Sequence, residues 1–329
     1  MIALVFCLPN GSSVTIIVDD DWAGADYSKI GDAMNNSIDG DTIYVHEGTY
    51  DNEGQAVWEY NSVNIIGNGS AYCTVTQCIF LMADWVNLSG LKIECTDDTW
   101  LTLGIYVLGS NNTVFENECC EFNDEGFGIY ATTDPGYAYS NVIRDNSFYN
   151  NTYGMAIRNE TDTIISNNSV FNNSYGILLY NTTYNVISNN SIYNNSIGIG
   201  ITDNTYNSTI KHNEIFNNWN WSIFMAEATE NNEVHHNNFA NNGNHTSQAS
   251  DNGTNNVWDD GVSEGNYWDD WGGTGTYSID GSAGAEDRYP LMDPGNTSAP
   301  EKVPEFGFIV PIVVMFTIFA LIRKKEYLN

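Results

Sequence analysis

Basic residues are scarce in this chain. Ten Lys and Arg stand against 42 Asp and Glu in 329 residues, a formal net charge of −32. A surface that grips nucleic-acid phosphates needs clustered Lys and Arg, so that partner class is excluded as the default. Long helical patterns are lacking as well. Asn, Gly and Ser recur between the apolar runs, which opposes helix and favours turns. No leucine-rich-repeat consensus is present, and the internal repeat is too short for the helix pairs of tetratricopeptide or HEAT arrays. Only six Cys occur: Cys7, Cys73, Cys78, Cys95, Cys119 and Cys120. The apolar start at 1–8 lacks a basic leader, so residues 1–17 read as a signal-peptide remnant and lead-in.

What the chain has instead is a repeat between 141 and 242. An aliphatic anchor recurs as Ile143, Ile165, Ile187, Ile210 and Val234, at steps of 22, 22, 23 and 24. Three residues after each anchor stands an Asn: Asn146, Asn168, Asn190, Asn213 and Asn237. Two further on is an apolar residue: Phe148, Val170, Ile192, Ile215 and Phe239. Pairs such as Met155/Ile157 and Ile177/Leu179 alternate with period two, the strand signature. Repeats of this length, holding two or three short strands, make one coil of a parallel β-helix. Each coil rises by about 4.8 Å. Eight or nine coils from Val45 to Phe239 would give a rod of roughly 40 Å. The expected fold is all-β, a single-stranded parallel β-helix solenoid.

The columns have physical roles. An inward Asn at a tight turn can bond backbone groups and the Asn one coil away, so Asn117, Asn146, Asn168, Asn190, Asn213 and Asn237 are read as a structural ladder. Gly154, Gly176 and Gly198 are read as turn residues, since Gly permits conformations barred to others. Leu88, Leu91 and Ile93 continue the columns upstream, with Leu91 in the Asn slot. Cys119 falls in an inward column and reads as a buried thiol. Cys73, Cys78 and Cys95, on neighbouring early coils, can supply one disulfide in an oxidising compartment.

At the start, residues 27–34 carry a helical pattern, expected to cap the exposed end of the first coil. Residues 251–298 break the repeat with aromatics and acidic turns and read as the opposite cap. Residues 299–305 form a polar linker. The seventeen residues from Phe306 to Ile322 carry no charge and are followed by Arg323, Lys324 and Lys325. That pattern reads as a transmembrane anchor over 306–329 with its C-terminus inside. The solenoid proper is thus 18–250.

The opening TIIVDDDWAGADYSKIGDAM…DGDTIYVHEGTY, the NN-rich repeats, and the close GNYWDD (265–270) with DRYPL (287–291) resemble the NosD-like class of copper-binding parallel β-helix proteins. That class is common among archaeal exported proteins, and the resemblance implies that the solenoid is right-handed and pectate-lyase-like. Pro304-Glu305-Phe306, the apolar span and the basic end resemble archaeal C-terminal sorting signals. The resemblance implies copper as a candidate ion. Relatives also carry a calcium-loop-like run after GNYW; here it shrinks to residues 272–277, without acids.

Three functions compete on the residues. The leading one is an exported, membrane-anchored surface protein, structural, adhesive or in contact with glycan. Trp219, Trp221 and Tyr206 are its candidate sugar-stacking residues. The second is metal binding or delivery. His212 and His236 occupy one column on adjacent coils, with His235 beside them, and imidazoles at that spacing can share copper or zinc. The third is a polysaccharide lyase, hydrolase or epimerase, for which Arg144, Asp145, Arg158 and Lys211 are the sole basic and acidic cluster and no acid–base dyad is evident. Seventeen Asn-x-Ser/Thr triplets occur, of which Asn167 and Asn189, beside the ladder, are the best placed for glycan.

Overall fold

The computed structural model describes residues 13–51, 57–94, 103–122, 126–132, 138–243 and 246–294. All of them belong to one compact unit, Met1–Ala299. The anchor expected at 306–329, the linker before it and the lead-in up to residue 12 lie outside the described residues. Among the described residues, no helix is long and apolar enough to cross a membrane.

The chain winds as a right-handed parallel β-helix of about nine turns. Three parallel sheets run its length, with ten, nine and ten strands, called here A, C and B. Each coil lays one strand in A, one in B and one in C. The register makes continuous columns. In sheet A, Ile16 lies over Ile43, Ile65, Leu88, Val114, Ile143, Ile165, Ile187, Ile210 and Val234 in succession. These side chains are buried and stack on like neighbours, one strand spacing apart. Strand pairing alone would let a coil slip; alternate burial in strands such as Ile164–Ser166 fixes the face that points inward. The helix is found at Ile30–Asn36, burying Ile30, Ala33 and Met34 against strands Thr15–Val18, Thr42–Val45 and Val57–Glu59.

The corners are built from paired Asn residues. Between A and B, the first residue of each corner takes positive φ and the second turns inward. Asn168 shows the pattern. Its Nδ2 donates to Ile143 O (2.9 Å), Ser166 O (3.0 Å) and Asn190 Oδ1 (3.0 Å). Its Oδ1 accepts from the backbone N–H and side-chain amide of Asn146. The expected ladder from Asn117 to Asn237 is therefore present, and it continues to Asn266. Leu91 does occupy the slot before it, its N–H donating to Asn117 Oδ1. Two further ladders run at the other corners. Asn151, Asn173, Asn195, Asn218 and Asn242 line the corner from B to C. Asn185, Ser208, Asn232 and Asn256 line the corner from C to A.

Two expectations about small residues are corrected. Gly154, Gly176 and Gly198 lie inside strands of sheet C, not in turns. They are required by proximity: a Cβ on Gly176 would sit 2.5 Å from the carbonyl oxygen of Gly198. Cys73 is a buried thiol bonded to the His46 carbonyl, not half of a disulfide; Cys119 is likewise a buried thiol. Cys7 and Cys95 lie outside the described residues.

The closing segment terminates the ladder. Asn266 donates to Val234 O and Trp258 O and receives no further Asn; the buried Asp287 carboxylate takes that place. A Cβ on Gly265 would fall 1.9 Å from the Asp287 carboxylate, so Gly is needed there. Trp268 donates to the same carboxylate and lies between Phe239 and Tyr277, with ring centroids at 4.2 and 4.1 Å. Arg288 clamps Asp259 with two bonds of 2.8 and 2.5 Å.

Candidate functional site

The corner from A to B carries one positive-φ residue per coil. In order these are Asp145, Asn167, Asn189, His212 and His236, with φ of 58°, 56°, 57°, 56° and 58°. Left-handed backbone disfavours most side chains, and Asn, Asp and His are enriched there. The N–H groups of Asp145, Asn167, His212 and His236 donate to the next coil, His212 to His236 O (3.1 Å) and His236 to Gly265 O (2.6 Å). The inward Asn that follows leaves the positive-φ residue at the surface. Asn167, Asn189 and His212 are exposed.

The last two coils replace Asn with His, and a site results. The His212 and His236 rings lie 5.2 Å apart, the strand spacing expected of their column. His235, ending the strand Glu233–His235, brings its Nδ1 to 2.6 Å from His236 Nδ1. On its other side, His236 Nε2 is 2.6 Å from Glu264 Oε2. An ionised carboxylate can only accept, so the Nε2 proton of His236 points at Glu264. Between the two Nδ1 atoms, one ring donates and the other accepts. Burial first, and then His236 and Lys211, lower the pKa values of His212 and His235, so both are neutral at pH 7.

Glu264 is itself held in place. Asp260 Oδ1 accepts the backbone N–H groups of Val262 (2.8 Å), Ser263 (2.7 Å) and Glu264 (3.0 Å). These bonds pull the Asp260 carboxyl down to about 2. Neither Asp260 nor Glu264 was a candidate from the sequence. They stand 24 and 28 residues beyond His236, in the closing segment, where no period points to them.

The donor set can be tested against a metal. Imidazoles suit copper, zinc or nickel, and a carboxylate accepting the far N–H of a ligating His is the usual orienting arrangement. The residues fit in kind. Their donor atoms do not yet converge, because His235 and His236 share a proton along the line between them. Among the described residues, the one group of three metal-type side chains with converging donors is Asp19, Asp20 and Asp21. Asp19 there pairs with His46 at 3.2 Å. Residues 272–277 bring no such group together.

The other sequence candidates scatter. Tyr206 stands at the corner from C to A, Trp219 follows the Asn218 corner from B to C, and Trp221 opens a strand of sheet C. The three do not share a surface. Arg144 lies on sheet A, bonded to Asp145 at 2.5 Å and lying over the Phe115 ring; Arg158 lies on sheet C, over Tyr180. Lys211 is on sheet A, three coils from Arg144.

Comparison with known proteins adds the following. A family model described as periplasmic copper-binding protein (NosD) matches residues 34–273. No curated protein matches the chain. Among solved structures, pectate lyase Pel9A is similar with a TM-score of 0.51 and 14% identity, over 77% of this chain and 81% of that one. The Dettilon tailspike protein (gp208) is similar with a TM-score of 0.51 and 14% identity, over 84% of this chain and 68% of that one. At that identity the likeness is one of fold alone.

Proposed function

The chain belongs to the NosD family of periplasmic copper-binding proteins, and on that premise we propose that it is an exported β-helix whose cargo is a transition-metal ion, copper first. His212, His235 and His236 are the ligands, and Glu264 is the positioning residue. The observation that carries the reading is the contact of His236 Nε2 with Glu264 at 2.6 Å, which orients the ring so that its Nδ1 faces His235. To hold an ion between them, His235 and His236 would have to turn the proton now between their Nδ1 atoms away from that line, and binding would weaken at acid pH, where imidazoles take up protons. The net charge of −32 favours a cation over an anionic cargo. Attachment to the outer face of a membrane through 306–329 belongs to the same proposal and rests on the apolar span and its basic end. A polysaccharide-cleaving role has less behind it, since Arg144 and Arg158 sit on different sheets.

The test uses the full-length chain and a His212→Asn/His236→Asn variant. Asn is native at the same corner position as Asn167 and Asn189, so the substitution preserves the backbone. Copper titration followed by calorimetry should show at least a tenfold loss of affinity with an unchanged melting temperature. Unchanged affinity would remove the proposal.

A further inference from the structure

A second feature stands at a different corner, from sheet C to sheet A. Its positive-φ column reads Trp85, Asn111, Ser140, Asp162, Tyr184, Asn207, Asn231 and Asn255. Six of the eight are short polar residues, as left-handed backbone favours. Trp85 and Tyr184 are not. They hold φ of 64° and 58° and are 64% and 55% exposed. A bulky side chain is disfavoured on that backbone, and these two stay more than half exposed. Stability therefore gives no reason for either residue.

Two more aromatics lie in the adjacent column of the same corner. The N–H of Asn111 donates to Tyr139 O, and that of Tyr184 to Tyr206 O, which fixes the alignment. Tyr139 is 52% exposed and Tyr206 37%. None of the four rings stacks on another aromatic among the described residues. This sets them apart from the stripe Tyr149, Phe171, Tyr193 and Phe216 on sheet B. There the rings stack on one another with centroids 4.9 Å apart, and so use up their own faces.

The spacing is regular. Trp85, Tyr139 and Tyr184 precede strands Asn87–Ser89, Val142–Arg144 and Val186–Ser188, which are two coils apart in each step. That is roughly 9.6 Å per step, with Tyr206 one coil further on. We propose that this corner is a binding strip for an extended, uncharged, β-1,4-linked polysaccharide lying along the solenoid axis, its rings stacked on Trp85, Tyr139, Tyr184 and Tyr206. In such a chain each ring is turned over relative to the last, so the same face returns at every second sugar. Aromatics on alternate coils meet that face repeatedly. Between them, Asn111, Asp162 and Thr183 offer bonding groups for the sugar hydroxyls. Asp84, Asp162 and Glu230 flank the strip, so a polyuronate would be repelled and a neutral chain is the occupant. The strip lies on another corner from the histidines and does not depend on the metal reading.

The experiment titrates the full-length chain with cellohexaose, mannohexaose, xylohexaose and hexagalacturonate. At least one neutral hexasaccharide binds and hexagalacturonate does not. Trp85→Asn/Tyr184→Asn weakens that binding at least tenfold. The same variant melts at an equal or higher temperature, because Asn already serves at 111, 207 and 231. Trp219→Ala, on a different corner, leaves binding unchanged. Failure of all three neutral hexasaccharides to bind, preference for hexagalacturonate, or equal binding by the double variant would each overturn the proposal.

Discussion

Single residues in this protein are placed by what the coil needs, and those that the coil does not need stand out. Glu160 is an instance of internal cost. It is fully buried, accepting bonds from Thr163 Oγ1 (2.7 Å) and Asn141 Nδ2 (3.2 Å), and burial pushes its carboxyl up to about 7. Its ordinary value is 4.5. Below the ordinary value both folded and unfolded chains hold the proton, and nothing is lost. Between there and about 7 only the unfolded chain releases it, so stability falls as pH rises. Above about 7 the loss is complete, on the order of 3 kcal/mol. Glu160→Gln should therefore be the more stable protein at pH 8 and nearly equal to the parent at pH 5, by urea denaturation at each pH. A variant no more stable than the parent at pH 8 would refute this. Sequence could not single Glu160 out, because its burial depends on the corner from C to A, whose period is broken by an insertion before residue 141.

At the scale of the element, the coil is an aliphatic stack closed by three amide corners. The A-to-B ladder was legible because its Asn stands at a constant offset from a repeating anchor. The B-to-C ladder carried the same signal in the doublets Asn150-Asn151, Asn172-Asn173 and Asn194-Asn195, which recur once per coil. The C-to-A ladder mixes Asn with Ser208, and no fixed letter marks it. The glycines were found but misassigned, since a letter cannot tell a turn from a close approach of two strands. The two members of a doublet should differ sharply. Asn190→Ala leaves Ile165 O, Ser188 O and the Asn168 N–H without their partner, at a cost on the order of 4 kcal/mol. Asn189→Ala, at the exposed left-handed position, should cost about 1 kcal/mol. Denaturation midpoints of the two variants check the contrast, and equal shifts would show that the inward amide is not what holds the corner.

For the molecule as a whole, the account joins a rigid repeat to functions carried where the repeat is altered. The solenoid could be anticipated from periodicity, though its first strand, Thr15–Val18, begins ahead of the expected start at 18, and the GNYW and DRYPL close from its resemblance to known end motifs. The histidine pair could be anticipated from its column. Glu264 could not, because it reaches the last corner from a segment that no longer follows the repeat. Its carboxylate orients one of two neighbouring imidazoles at the end of the ladder, and the chain's net charge of −32 sets up a field that gathers cations. The most direct test of this is anomalous diffraction at the copper edge, from crystals of the full-length protein grown with copper. The account predicts a peak in ligating contact with His236 Nδ1 and with His212 or His235, and Glu264 still bonded to His236 Nε2. A peak at Asp19, Asp20 and Asp21 with none at the histidines, or no ordered peak at all, would contradict it.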